Sequence, residues 1–292
     1  MKKLIVIIIF FYICIGPSIL IANEAGIAGI GGIEIADMST IFPIRKNSAK
    51  LSLLTESEMR IGTGMIYPQF GNNFSYKIGY SDYIEFRNTS IGGYGIDIEN
   101  INIDDMLIID TFSIGYGMSP FNIFKFLPEN LCIGINISYV KKIFKYNEWI
   151  ANYGYNNAVL NNNFQFDFEA AYVTKKISTI ILLSREEDSL YEVGLEYNDT
   201  FLGKLFGEIY FRDYSNKYGI RVGIYNSIFN NFSISAGYDI SRFEQFKGGV
   251  GINWKIKFKD MDMIIKYGMP LNFSMERVLG SEYYLSLIFL ID

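Results

Sequence analysis

Two runs of carboxylates, "NIDDM" at 102–106 and "SREEDS" at 184–189, are the densest groups of chemically capable side chains in this 292-residue chain. Clustered carboxylates can hold calcium or serve as general acid and base. Neither run has the spacing of an EF-hand loop, and both read more simply as hairpin loops with hydrated charges. A second pattern is the row Lys255, Lys257 and Lys259, alternating with Trp254, Ile256 and Phe258 in "INWKIKFKD". Inside a pore such a ladder would attract anions, unless acids on neighbouring strands, such as Asp239 or Glu244, neutralise it. Arg212 and Arg221 fall on the same inward parity and are expected to pair with Glu208.

The chain has no histidine, which removes the usual general base of serine and cysteine hydrolases and the commonest ligand of catalytic zinc. No Gly-x-Ser-x-Gly elbow, phosphate-binding loop or dinucleotide fingerprint is present. The expectation is therefore a protein without catalytic residues, cofactor or metal. Net charge is −5, with no basic stripe, which argues against nucleic acid as a partner.

The elements that would position these charges are strands. Alternation with a period of two recurs through most of the chain after residue 49. In "FQFDFEAAY", Phe164, Phe166, Phe168 and Tyr172 oppose Gln165, Asp167, Glu169 and Ala171. "YEVGLEY" and "CIGINISY" alternate in the same way, and Cys132 reads as a small buried residue. No stretch shows a helical repeat. Turn signals separate the runs, as in the phrase "NNFS", which occurs at 72–75 and again at 230–233.

Which solvent meets the apolar face decides the class. A soluble sandwich turns it to a dry core, and a membrane barrel turns it to lipid. The runs often last about 9–11 residues, the length a tilted strand needs to cross hydrocarbon. Tyr80, Tyr139, Tyr172, Tyr197 and Tyr238 crowd the ends of runs, where barrels carry aromatic girdles. The leader "MKKLIVIIIFFYICIGPSILIA" has the layout of a bacterial secretory signal peptide, and Cys14 is not preceded by the residues a lipoprotein site needs.

The expected fold is all-β: a single transmembrane antiparallel up-and-down barrel of about 14 strands, with about 12 to 16 permitted. Residues 1–22 are expected as signal peptide, 23–48 as a glycine-rich plug or entry segment, and 49–292 as the barrel. Asp167, Glu169, Glu208, Arg212, Arg221, Asp239, Lys255 and Lys257 are the candidate lumen-facing polar residues. Soluble secreted β-protein that binds a ligand is the alternative.

The opening "GIAGIGGIEIADMSTIFP", with Gly31, Gly32, Ala36 and Asp37, resembles the glycine-rich start of FadL-like outer-membrane proteins, including the PorV/PorQ group and related spirochaetal families. "FSIGYGMSPFNIFKFLPENLCIGINISYVKK", "YGIRVGIYNSIFNNFSISAGYDI", "MIIKYGM" and "YYLSLIFLID" resemble that group's paired strands and closing hairpins. The resemblance implies a bacterial outer-membrane barrel that binds or passes hydrophobic small molecules such as fatty acids through an aromatic-lined, greasy lumen. Its partners would be membrane lipid, the ligand and the barrel-assembly machinery. A docking role in secretion or surface attachment, without transport, is the second reading. Two departures stand out: the family's Asn-Pro-Ala triplet is replaced by "IFPIRKNSAKL", and the last aromatic residue is Phe289 rather than the terminal Asp292.

Overall fold

The computed structural model describes residues 46, 48–65, 74–86, 89–103, 107–144, 159–185, 189–199, 202–213, 217–241, 247–258, 261–272 and 283–291. The expected signal peptide and all but the last residues of the expected plug lie outside them. The first described element is a short 3-10 helix, Ser48–Leu53, here called the inner helix. Fourteen strands follow: β1 (Ser57–Met65), β2 (Phe74–Phe86), β3 (Thr89–Ile103), β4 (Leu107–Met118), β5 (Leu131–Phe144), β6 (Val159–Val173), β7 (Ile177–Arg185), β8 (Ser189–Asp199), β9 (Gly203–Arg212), β10 (Lys217–Phe229), β11 (Phe232–Ser241), β12 (Lys247–Phe258), β13 (Met261–Asn272) and β14 (Tyr283–Ile291). The barrel thus starts at Ser57, and residues just before it, expected as wall, form the inner helix instead.

Each strand pairs antiparallel with its sequence neighbour, and β1 pairs with β14 from Ser57↔Ile291 to Met65↔Tyr283, closing the ring. Closure follows from the solvent. Hydrocarbon offers nothing to an unpaired strand edge, so every backbone donor must find its acceptor within the sheet. The two parities then meet different surroundings. Phe166 is 54% exposed and Trp254 53% exposed on the outer face, with Ile98, Ile114, Ile135 and Ile209 also turned outward. Their inward neighbours, among them Gln165, Asp167, Asn136 and Glu208, are buried. Neither Phe166 nor Trp254 packs against a second sheet, which is the inverted arrangement of a membrane barrel rather than that of a sandwich.

All five tyrosines expected in a girdle have outward parity, but Tyr80 and Tyr139 lie in mid-strand. The cause is length: β2 and β5 run to 13 and 14 residues, past what a hydrocarbon crossing needs, so the apparent run ends in the sequence are not strand ends. Tyr139 instead packs outside against Phe164, ring centroids 5.4 Å apart.

The repeated "NNFS" phrase marks a hairpin at its second occurrence. Asn230 and Asn231 form the turn between β10 and β11, and the Asn231 carbonyl accepts the Lys255 amide at 2.8 Å. That turn belongs to the end of the barrel whose other connections are 87–88, 119–130, 174–176, 200–202 and 259–260. The opposite end carries the connections 66–73, 145–158 and 273–282, which lie outside the described residues. Short turns mark the periplasmic end of bacterial barrels and longer loops the outside.

The outer face makes a direct prediction. Ile181 lies at the centre of β7, opposite Ala170 and Val193 and turned outward, so Ile181→Arg would put a charge against acyl chains, at a cost of about 2–4 kcal/mol at the midplane. Folding yield into lipid vesicles, read as heat-modifiable migration on a gel, is expected to fall sharply.

Candidate functional site

The inner helix lies across the strands on the lumen wall. Gly93, Gly117 and Gly134 are lateral partners on β3, β4 and β5, and Gly134 in turn faces Glu169 on β6. This row is a floor without side chains. A Cβ at Gly93 would lie 2.2 Å from the Leu51 carbonyl oxygen, one at Gly117 2.1 Å from that of Ser48, and one at Gly134 2.1 Å from the Ala49 nitrogen. Helix backbone therefore rests directly on wall backbone, a close approach that only glycine permits.

Glu169 ends the row and fixes the helix. Its two carboxylate oxygens accept the Ser48 amide at 3.0 Å and the Ala49 amide at 2.9 Å. The first amides of a helix have no intrahelical acceptor, and burial without one is costly. Within the helix, the Ser52 hydroxyl donates to the Ala49 carbonyl at 2.8 Å, and the Leu54 amide closes the last turn on Leu51. Ser48, Ala49, Lys50 and Leu51 are fully buried.

Around this helix the wall carries three polar networks. On β1 to β3, Arg60 meets Glu58, and the Lys77 ammonium stands 3.6 Å from Asp97 and 3.9 Å from Glu99. On β4 to β7 the network is mostly uncharged and centres on Asp167. Asp167 accepts from Asn136 at 2.9 Å and from Gln165 at 3.0 Å, and the chain continues through Ser138 to Ser113 and through Gln165 to Ser184. On β8 to β11 the hub is Arg221. Its guanidinium reaches Glu192 at 3.1 Å, Glu208 at 3.2 Å and Asp239 at 3.3 Å, and lies 4.4 Å over the Tyr210 ring.

Of the sequence candidates, Arg221, Glu208 and Asp239 thus come together, while Asp167 and Glu169, two residues apart on the same face of β6, serve different purposes. Arg212 keeps inward parity on β9 but sits four residues beyond Glu208, about 13 Å along the strand, at the register of Leu190. The Glu208 partner is Arg221. Lys255 pairs with Asp262 of β13 at 2.6 Å, not with Asp239, and Lys257 is exposed towards the strand end. Asp239 is committed to Arg221 and to the Tyr210 hydroxyl. Lys259, Glu244 and the centres of the two carboxylate runs lie outside the described residues.

The lumen differs from the greasy, aromatic-lined interior expected. Its described lining is mostly polar, with a main apolar patch in which Ala49 of the inner helix packs with Cys132, Ala171, Ile180, Leu182, Leu190 and Tyr210, a smaller one of Leu51 and Leu54 against Tyr83, and Phe206 buried at inward parity on β9. The signal for the main patch is the run "ISTIILL", which breaks alternation: Ile180 and Leu182 turn inward while Ile181 and Leu183 turn outward, so β7 is apolar on both faces. Chemically, the arrangement offers a small hydrophobic surface beneath a latched segment.

No known sequence family and no curated protein matches the chain. Solved structures do. It is similar to the toluene transporter TbuX of Ralstonia pickettii, with a TM-score of 0.61 at 9% identity over 94% of this chain and 99% of that one. The toluene transporter TodX of P. putida gives 0.60 at 8% identity, over 93% and 97%. The monoaromatic hydrocarbon channel CymD gives 0.52 at 10%, over 94% and 98%. The class is therefore defined by the fold: a closed 14-stranded antiparallel barrel of the kind these hydrocarbon transporters have.

Proposed function

We propose that the chain is a bacterial outer-membrane barrel that binds small uncharged hydrophobic molecules on the Cys132–Leu182 patch and passes them when the inner helix moves aside. The observation that carries this reading is that the lumen's apolar patch includes a residue of the inner helix, Ala49, so displacing the helix uncovers it. The fold shared with transporters of toluene and monoaromatic hydrocarbons supports the same reading. Membrane lipid and the assembly machinery are the partners such a barrel requires.

The charges bear on the ligand class. In the Arg221 hub one cation faces three carboxylates, and in the β1–β3 network Arg60 and Lys77 face Glu58, Asp97 and Glu99. A carboxylate ligand would enter a field of its own sign, where like charges repel strongly because solvent screening is weak. An uncharged hydrocarbon meets no such repulsion from these two networks, so it is favoured over a fatty acid anion.

The test is uptake by cells lacking their own hydrophobic-substrate transporters. Cells making this protein are expected to accumulate labelled toluene several-fold faster than control cells, with Leu182→Asn abolishing the gain while leaving heat-modifiable folding intact. Fatty acid uptake is expected to stay at the control rate. No gain with toluene would end the proposal, and a gain with fatty acid alone would reverse its ligand class.

A further inference from the structure

Connection 119–130, between β4 and β5, stands apart at the end of the barrel otherwise closed by turns of a few residues. It is a built structure. A 3-10 turn, Pro120–Asn122, opens it, and the Phe124 amide donates to the Pro120 carbonyl at 2.8 Å and the Leu127 amide to that of Phe124 at 3.0 Å. Its two ends are pinned to other strands: the Asn122 side chain donates to the Ser90 carbonyl, and the Asn130 carbonyl accepts the Val173 amide at 2.9 Å. Fixed in this way, it displays apolar side chains. Phe126 is 83% exposed, Ile123 62% and Phe124 51%, with the two phenylalanine rings 5.9 Å apart. Lys125 lies among them, its ammonium 4.3 Å over the Phe121 ring.

The lumen side of these strand ends is already occupied. Gly117 and Gly134, close to either end of the connection, carry the inner helix. The exposed cluster is therefore not packed into the barrel. The two strands it joins carry the outward apolar belt at this place, with Phe112 and Ile114 of β4 and Ile135 and Ile137 of β5 exposed. Aromatic side chains beside a lysine are the composition that settles where acyl chains meet headgroups, with rings in the boundary and the ammonium near phosphate.

We infer that connection 119–130 is a membrane-seated foot, with Phe124 and Phe126 inserted among the headgroups of the adjoining leaflet, the periplasmic one by the turn rule. A rigid foot of this kind fixes how deep the barrel sits and how it tilts, as interfacial anchors do.

The test uses the full barrel refolded into phosphatidylethanolamine–phosphatidylglycerol vesicles, with Trp149→Phe and Trp254→Phe removing native indole emission and Phe126→Trp supplying the probe. Phe124→Trp is a second probe should the first fail to fold on the heat-modification gel. Lipids brominated near the headgroup are expected to quench the probe more than iodide present on both sides of the membrane, and its emission is expected to shift to shorter wavelength on insertion. Emission quenched more by iodide than by brominated lipid would overturn the inference and leave the cluster facing water or a periplasmic protein.

Discussion

Gly134→Val is expected to dislodge the inner helix and make the barrel more permeable without unfolding it. The new Cβ would fall 2.1 Å from the Ala49 nitrogen, 2.4 Å from the Ser48 carbonyl carbon and 2.6 Å from the Ala49 Cα. All three are backbone atoms, so no side chain can swing away, and the inner helix must leave its floor. Glu169 then loses both amide donors. Charge-assisted hydrogen bonds contribute about 1.5–3 kcal/mol each, so losing two favours the displaced state on the order of a hundredfold or more. Cys132 gives a direct readout. It is buried in the patch shared with Ala49 and is the one cysteine beyond the expected leader. Its labelling by a small thiol reagent is expected to accelerate by a similar factor, together with larger ion conductance in planar bilayers. Gly207→Val is the control, because a Cβ there meets nothing within 4 Å. Labelling and conductance unchanged in Gly134→Val would show that the helix does not block the lumen.

Arg221→Met is expected to be the most destabilising single replacement in the wall. Methionine keeps part of the volume but removes the guanidinium that joins Glu192, Glu208 and Asp239. Breaking a buried ion network by removing one member costs about 3–5 kcal/mol, since the remaining charges stay desolvated beside one another. The stacking over Tyr210 goes as well. The urea midpoint for unfolding from vesicles is expected to drop accordingly. Arg221→Lys is expected to recover only part of the loss, because one ammonium cannot reproduce a fork whose Nη1 serves two carboxylates while Nε serves a third. Adding Glu192→Gln and Glu208→Gln to Arg221→Met is expected to restore most of the stability. If Arg221→Met leaves the midpoint unmoved, the hub does not hold the wall together.

The barrel was legible because lipid imposes a strict rule on every strand, and alternation in segments such as "FQFDFEAAY" displays that rule locally. A strand number of about 14 followed from counting such segments, and closure from the lack of any partner for an open edge in hydrocarbon. Of the lumen charge pairs, only Arg221 with Glu208 was anticipated; the other partners were not legible, because register decides them. Arg221 and Glu208 share parity with Arg212, yet only the observed stagger of β9 against β10 sets Arg221 opposite Glu208. The inner helix was hidden for another reason. "SAKLSL" carries no helical periodicity at six residues, and its seat is a row of glycines that are neighbours in space but scattered over 41 positions between Gly93 and Gly134. Glycine in a strand signals that something comes close; it does not say what.

The pairing of β1 with β14 has a consequence for how the molecule is made. Ser57 and Ile291 become neighbours only after the whole intervening chain has been delivered, so the loop that must close last is also the longest. Until then both the first strand and the growing margin present bare donors and acceptors to any other polypeptide nearby. A mutation that delays the final strand is therefore a hazard of misassociation during biogenesis, even where the finished ring would be sound.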